Sequence, residues 1–266
     1  MSKIAIIGSG NIGFSLAKGL VKSGKYLASD ISLTRRNIVK LKDEAALGFQ
    51  VSTDNAAVCN TAEIIILAIL PQQLHAVLED IKPSITASQL IVSVVSGVSC
   101  SNIKDVLGKD KSIIRAMPNT AISIGQSMTC IAADDHDADK INRVEELFET
   151  VGSVVVLAEE LMTSATALCA CGIAFFLRAI RAASQGGVEI GFHAEDALRM
   201  AVQTAKGAAD LLLQTENHPE TEIDKVTSPK GCTIAGLNEM EHNGFSSAFI
   251  KGIKLSAIKA GGLYDD

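Results

Sequence analysis

With 266 residues, 47% of them hydrophobic, the chain has material for one large or two ordinary cores and is no small scaffold that needs staples. Its formal charge of −6, with acids and bases spread along its length, argues against nucleic acid as the main partner and against adsorption to an anionic membrane surface. Any phosphate binding must therefore be local. The chain enters its first strand without a charged leader or a cleavable apolar segment, so a cytoplasmic location is expected. The six cysteines show no C-x-x-C spacing and are expected as reduced, partly buried thiols. Cys169 and Cys171 stand two apart, which on a helix points them to different faces, and the five histidines form no ligand motif, so no metal is expected.

Ile4-Ala5-Ile6-Ile7 is short and apolar throughout, as a strand buried on both faces of a parallel sheet would be. Gly8, Gly10 and Gly13 follow in G-x-G-x-x-G register around Asn11 and Ile12. Ile12, Leu16, Leu20 and Val21 then recur at helical spacing. Strand, tight turn and helix in that order suit a dinucleotide. A Cβ at Gly8 or Gly10 would block the turn or hold a pyrophosphate away from the backbone, and Gly13 lets the helix pack closely on the strand. Free N–H groups at the helix start face the ligand, and the helix dipole favours its negative charge. An ordinary glycine-rich turn is the alternative.

Residues 31–34 read as a second strand ending in Thr34-Arg35-Arg36. In dinucleotide-binding sheets an acid about 20 positions past the glycines holds the ribose 2′-hydroxyl, and a basic residue accommodates a 2′-phosphate. A hydroxyl and two guanidiniums suit phosphate, so NADP is preferred over NAD. Asp30 is the rival, although it precedes the apolar run; simple solvation of the two arginines is the alternative. Residues 49–52 form a third short strand, followed by Asn55 in a turn or helix cap. Residues 63–70 form the strongest buried strand, stopped by Pro71. Ligands of open α/β sheets lie beyond the carboxyl ends of the strands, so the stretch from Ala68 to Gln72 should border the nicotinamide. A helix over 72–78, a strand over 90–95 ending in Ser96-Gly97, and a strand over 112–116 leading into Met117-Pro118-Asn119-Thr120 complete this half. Strands over 126–132 and 153–157 flank a helix over 138–150, with Gly152 closing that helix as its C′ residue.

From residue 163 the pattern is helical. The uncharged run 161–177 falls short of the ~20 predominantly apolar residues of a membrane span, which leaves a buried helix, placed at a subunit interface. It is expected to run to about residue 184, where Gly186-Gly187 loosens or ends it. His193-Ala194-Glu195-Asp196 opens a helix reaching about 214, with carboxylates in its first turn. The segment 216–226 is polar and broken by Pro219, Ser228 to Thr233 lead into a helix over 233–243, and a last helix covers 246–259. The fold class is therefore α/β: a Rossmann-like doubly wound sheet over 1–160, then an all-helical dimerisation domain over 161–266.

The run Val226-Thr227-Ser228-Pro229-Lys230-Gly231-Cys232-Thr233 closely resembles the Ser-Pro-Gly-Gly-x-Thr signature of pyrroline-5-carboxylate reductases. Supporting matches are the GSGNIG turn, Ala68-Ile69-Leu70-Pro71-Gln72, residues 91–98, Arg115 through Thr120, and Gln203-Thr204 with Gly207-Ala208-Ala209, in order over essentially the full length. The resemblance implies reduction of Δ1-pyrroline-5-carboxylate to L-proline, with a hydride from C4 of NAD(P)H. A protonated imine is already electrophilic, so such an enzyme chiefly aligns two bound molecules and excludes water. The turn Gly231-Cys232-Thr233, at a helix N-terminus, suits the substrate carboxylate. By resemblance the Thr233 hydroxyl bonds the ring nitrogen or the carboxylate and Ser228 shapes the pocket; plain helix capping is the alternative for both. Carried over by position, Thr34, Arg35, Arg36 and Asn55 hold the adenosine end of the cofactor, Ala68, Ile69, Leu70, Pro71 and Ser96 flank its nicotinamide end, and Met117, Pro118 and Asn119 close the pocket. The family also implies a homodimer, or a larger assembly of dimers, with each site shared between one chain's sheet domain and its partner's helices.

Four departures bear on substrate and rate more than on fold. Leu70 stands where the family commonly has Lys, Ala121 where it has Pro, Lys230 where it has the first Gly of the signature, and Cys169-Ala170-Cys171-Gly172-Ile173 where it has Ser-Gly-Ser-Gly-Pro. Another cyclic imine or a 3-hydroxy acid is the competing substrate, although the latter chemistry generally uses a lysine and none occurs from 161 to 204. A non-catalytic NADP-binding regulatory protein is the third reading.

Overall fold

The computed structural model describes residues 3–133 and 138–262. Eight strands make one sheet: β1 (Ile4–Ile7), β2 (Ile31–Thr34), β3 (Gln50–Ser52), β4 (Ile64–Leu67), β5 (Leu90–Ser93), β6 (Ser112–Met117), β7 (Ser127–Ala133) and β8 (Gly152–Val156), in the order β3-β2-β1-β4-β5-β6-β7-β8. All neighbours are parallel except β6 and β7, which run antiparallel with Met117 opposite Cys130. The helices between them are α1 (Asn11–Lys22), α2 (Lys42–Ala46), α3 (Asn55–Cys59), α4 (Pro71–Ile81), α5 (Cys100–Leu107) and α6 (Ala138–Glu149).

Alternation along β1 shows how the sheet is covered on both faces. Ile4 and Ile6 join Leu16 and Leu20 of α1 and Val144, Leu147 and Phe148 of α6 in one core. Ala5 and Ile7 join Leu74, Leu78 and Ile81 of α4 and Cys100 and Ile103 of α5 in the other. Both cores exclude solvent, which is why these strands read as continuous apolar runs. Arg115 is buried on the α5 side of the sheet, where its Nη1 donates to Glu159 Oε1 at 3.2 Å; the same oxygen accepts from the Cys100 backbone N–H at 2.7 Å.

Several sequence expectations change here. The strand expected over 63–70 ends at Leu67, and Pro71 begins α4 as its first residue, where a missing N–H costs nothing, instead of stopping a strand. Helix α5 lies outside the sequence expectations, and Ser99 and Asn102 form a capping box at its start. Gly152 is the first residue of β8 with φ 151°, and a Cβ there would lie 2.0 Å from the Ser127 carbonyl oxygen, so close strand pairing and not helix termination requires it. The polar segment around Pro219 is itself helical.

The helical run after β8 consists of α7 (Met162–Ala165), a π turn (Thr166–Cys171) and α8 (Gly172–Glu189). It passes through Gly186-Gly187 without a break. The whole run Glu159–Glu189, 31 residues, is long and apolar enough by length and composition to cross a membrane, which the uncharged stretch alone is not. Its first part is instead built into protein: Met162 and Ala165 pack with Met117, Cys130 and Ala132. That packing explains why the compact unit carrying the sheet, Met1–Cys171 with Leu255–Asp266, takes in the start of the helical region.

The second unit, Gly172–Lys254, contains α8, α9 (Ala194–Thr215), α10 (Pro219–Lys225), α11 (Cys232–His242) and the start of α12 (Phe245–Gly261). A Cβ added at Gly187 would lie 2.9 Å from Ala197 Cβ, so α8 and α9 cross closely there. Phe249 gathers the rings of Phe175, Phe176 and Phe245 at centroid distances of 5.4–6.0 Å. Few residues of this unit are buried, and Ile190 and Leu213 are 77% and 79% exposed. Apolar side chains exposed on this scale are typical of surfaces that meet another protein.

Candidate active site

In an open α/β sheet the ligand crevice lies where the strand order reverses, beyond the carboxyl ends of the strands. Here that point is between β1 and β4, which pair in parallel and end at Ile7 and Leu67. Gly8 leaves β1 with φ 100°, a conformation that L side chains rarely adopt, and a Cβ on it would lie 2.4 Å from the Ala68 carbonyl oxygen. A Cβ on Gly13 would lie 2.2 Å from the Gly8 carbonyl oxygen, so α1 sits directly on the turn. Gly10 differs. It caps α1 without a side-chain bond, and a Cβ there would meet nothing within 4 Å. The fold leaves room at Gly10 and the N–H groups of Asn11, Ile12 and Gly13 lack helical partners, an open cradle that fits a pyrophosphate.

The turn is held by residues that sequence reading placed differently or passed over. Thr34 is buried; its hydroxyl accepts from the Gly8 N–H at 3.4 Å and its carbonyl from the Ser9 N–H at 2.8 Å. It therefore braces the turn from β2. Ser9 is also buried, and its hydroxyl donates to Glu44 Oε1 of α2 at 3.2 Å. A buried carboxylate at Glu44 carries no motif, so only the tertiary structure reveals this strut.

Beyond Thr34 the chain emerges: Arg35 is half-buried, with its N–H bonded to the Ser52 carbonyl at 3.2 Å, and Arg36 is exposed. Among the described residues neither guanidinium has an acidic partner. Asp30 sits at the opposite end of β2, in a cleft with Lys3, Ser32, Ser52 and Thr61, away from the glycine turn. It is out of position for a ribose held at the carboxyl ends. The cap of α3 is Asp54, which accepts from the Ala57 N–H at 2.9 Å, while Asn55 is the first helical residue and donates its amide to Asp80 at 3.1 Å.

Ala68 continues the β1–β4 pairing through a 2.8 Å bond from its N–H to the Ile7 carbonyl; Ile69 and Pro71 are half-buried and Leu70 is exposed. Ser96, past the end of β5, lies 3.9 Å by its hydroxyl from the Met117 sulfur. Met117 and Asn119 are buried, and the Asn119 side chain is engaged within the chain. Its Oδ1 accepts from the Ala121 N–H at 3.0 Å and its Nδ2 donates to the Cys169 carbonyl at 3.4 Å. Both polar atoms of the Asn119 side chain are therefore already engaged.

In the helical unit, Gly231 is the N-cap of α11 and makes no side-chain cap bond. Its N–H closes a turn onto the Ser228 carbonyl at 2.9 Å, and a Cβ on it would lie 2.5 Å from Ser228 Oγ. Cys232, exposed, is the first helical residue and Thr233 the second. Among the described residues the Ser228 and Thr233 hydroxyls have no hydrogen-bond partner, so neither caps the helix. The helix start thus offers free N–H groups with two hydroxyls beside them, a carboxylate-binding arrangement. Lys230 has φ 60°, which explains why a glycine suits this position in the signature: a left-handed residue with a Cβ is strained by roughly 1–2 kcal/mol. Lys230→Gly is expected to raise unfolding stability by a fraction of that, about 0.5–1 kcal/mol after glycine's entropic cost, in a urea titration, with turnover retained.

Comparisons with known proteins find matches in both parts of the chain. Residues 159–263 match the family model for pyrroline-5-carboxylate reductase dimerisation, and residues 3–97 match that for NADP oxidoreductase, coenzyme F420-dependent. Pyrroline-5-carboxylate reductase 1 of Dictyostelium discoideum is 52% identical over 98% of this chain, which spans 50% of that protein's length. Pyrroline-5-carboxylate reductase 2 of the same organism is 51% identical over 97% of this chain and 91% of that protein. The crystal structure of a Plasmodium falciparum pyrroline carboxylate reductase with NADP bound shares the fold, with a TM-score of 0.91 at 23% identity over 99% of this chain and 98% of that one. With a relative half identical across nearly the full length of both chains, a doubly wound sheet with an open glycine cradle, and an uncapped signature helix in the helical half, this chain belongs to the pyrroline-5-carboxylate reductase family.

Proposed function

We propose that this chain reduces Δ1-pyrroline-5-carboxylate to L-proline in proline biosynthesis, as an NADPH-preferring oxidoreductase of the cytoplasm. The observation that carries the reading is the uncapped start of α11, where the Ser228 and Thr233 hydroxyls stand unpartnered beside free backbone N–H groups. The substrate carries a carboxylate next to an imine. The helix start binds the carboxylate through its N–H groups and dipole. Thr233 then fixes the ring by a bond to its nitrogen or carboxylate, and Ser228, tight against Gly231, sets the loop's shape.

When bound, NADPH supplies the hydride. The residues that hold it are Gly8, Gly10, Asn11, Ile12 and Gly13 at the pyrophosphate, with Thr34 and Ser9 bracing that turn. Arg35 and Arg36 would take the 2′-phosphate, Asn55 would lie along the adenosine side, and Ala68, Ile69, Leu70, Pro71 and Ser96 would border the nicotinamide. Met117 and Asn119 contribute the buried wall. No side chain has to move a proton to make the imine carbon electrophilic, so the chain's work is alignment and exclusion of water. We divide the chain into a cofactor domain, 1–160, and a helical domain, 161–266, through which two copies form a homodimer that larger assemblies can repeat.

Steady-state oxidation of NADPH and NADH, side by side with pyrroline-5-carboxylate, tests the reading; folded protein that binds cofactor without turning over this substrate refutes it. The arginines are tested separately. Replacing both Arg35 and Arg36 with Ala should raise the KM for NADPH on the order of tenfold and leave that for NADH unchanged, because charge-assisted bonds to phosphate exist in only one of the two cofactors. Equal changes for both cofactors would place the 2′-phosphate elsewhere.

A further inference from the structure

The segment that departs most from the family signature holds a feature outside the reaction just described. Cys130 of β7 and Cys169 of the π turn face each other with their sulfurs 3.8 Å apart. Cys130 is buried and stands opposite Met117 in the β6–β7 register. Cys169 is half-buried, packs on the cluster of Met117, Met162 and Ala165, and through its carbonyl accepts the Asn119 amide. We propose that Cys130 and Cys169 are a dithiol modification site which hydroperoxides convert to a disulfide, and that the disulfide slows the enzyme by pulling the π turn away from Asn119.

The geometry supplies both halves of a redox pair: an attacking thiol reachable from solvent and a resolving thiol within reach behind it. Closing the bond needs the sulfurs to move from 3.8 Å to about 2.05 Å. A single π turn, wider and less regular than the α-helix around it, is where such a shift is least costly. The hydrogen bond between the two sulfurs holds the Cys169 thiol down at about 7, against the opposing effect of burial, while the same pairing and burial push Cys130 up. Cys169 is also the member that solvent reaches, so an oxidant meets it first. At Cys59, by contrast, burial, reinforced by Asp80 and Asp54, pushes the thiol up to about 12.

The chemistry balances with one peroxide per disulfide. The Cys169 thiolate attacks a peroxide oxygen, the O–O bond breaks, and the departing hydroxide takes up the proton released from Cys169, giving water and a sulfenic acid. The Cys130 sulfur then attacks the Cys169 sulfur; the S–S bond forms, the S–O bond breaks, and the leaving hydroxide takes the Cys130 proton as a second water. Two thiols lose two electrons, and hydrogen peroxide gains them. A dithiol reductant reverses the step by exchange.

Reduced full-length protein, freed of reductant and treated with hydrogen peroxide, should yield a Cys130–Cys169 cross-linked peptide after alkylation and digestion. NADPH oxidation with pyrroline-5-carboxylate should fall about tenfold, as displacement of a site wall by an ångström can cause, and return with dithiothreitol. In Cys169→Ser, whose side chain is half-exposed, and in Cys130→Ala, both the cross-link and the dithiothreitol-reversible fall should be lost, while the reduced variants retain turnover. The effect on rate rests on the substrate reading, whereas the peptide map does not; reduced protein with no turnover would count against that reading alone, and the map would still decide the dithiol. Peroxide that leaves both thiols alkylatable, joins Cys169 to Cys171 instead, or forms the cross-link with turnover unchanged overturns the proposal.

Discussion

Gly8→Ala is expected to lose on the order of a hundredfold in NADPH affinity and to unfold more readily. The new Cβ would need φ 100° and would sit 2.4 Å from the Ala68 carbonyl oxygen and 2.7 Å from Ile69 Cγ2. Neither atom can yield cheaply, because the Ala68 N–H is bonded to the Ile7 carbonyl at 2.8 Å and so ties the end of β4 to β1. Backbone strain of about 1–3 kcal/mol and overpacking of about 1–3 kcal/mol fall on the same turn, and each 1.4 kcal/mol that reaches the cofactor is tenfold in affinity. Gly10→Ala separates the ligand's requirement from the fold's. Its Cβ meets nothing within 4 Å and its φ of −91° suits any residue, so its urea midpoint should match wild type. Fluorescence titration should still show NADPH binding weakened, because the added methyl occupies the cradle. Unchanged NADPH affinity in Gly10→Ala would remove the pyrophosphate from that turn.

Thr233→Val should lower kcat/KM for pyrroline-5-carboxylate roughly thirty- to hundredfold, the worth of about 2–2.7 kcal/mol for a hydrogen bond to a charged group. The substitution replaces a hydroxyl by a methyl at nearly constant volume. The Thr233 hydroxyl holds nothing together among the described residues, and the N-cap of α11 is Gly231. Stability and the KM for NADPH should therefore stay as in wild type, and Thr233→Ser should recover most of the loss by restoring the hydroxyl. A fall in NADPH binding equal to the fall in turnover would mean that Thr233 serves the cofactor or the fold, and wild-type kinetics in the valine variant would take it out of the site.

Much of the sheet was legible because burial on both faces of a parallel sheet leaves an unmistakable apolar run. Ile4–Ile7 and Ile31–Thr34 were bounded to the residue. The expected strand over 63–70 overran because Ala68, Ile69 and Leu70 are as apolar as the strand before them, and hydropathy does not register where the hydrogen-bonded ladder ends. Helix α5 is hard to see in the sequence because its eight residues span barely two turns, with Cys100, Ile103, Val106 and Leu107 as the apolar positions, and its clearest local mark is the Ser99 cap. Helix α10 was missed for the opposite reason: Pro219 looked like a break, when proline at a helix start is favourable.

The candidate site divides in the same way. The glycine spacing and the Ser228-to-Thr233 signature are local patterns, so the linear chain determined the nicotinamide-cofactor fold class and the family. Properties that depend on what lies across space were decided only by the tertiary structure. It turned Thr34 inward as a brace, supplied Glu44 to Ser9, and spent the amide of Asn119 on a cap and on the Cys169 carbonyl. It also gave meaning to Lys230, whose left-handed φ of 60° accounts for the glycine expected there, and to Cys130 and Cys169, 39 residues apart in sequence and 3.8 Å apart at their sulfurs. Spacing along a strand or helix fixes which residues share a face, because the backbone repeat is constant; which faces and ends meet depends on the antiparallel turn of β6 onto β7 and on the π turn, neither of which has a local sequence signal.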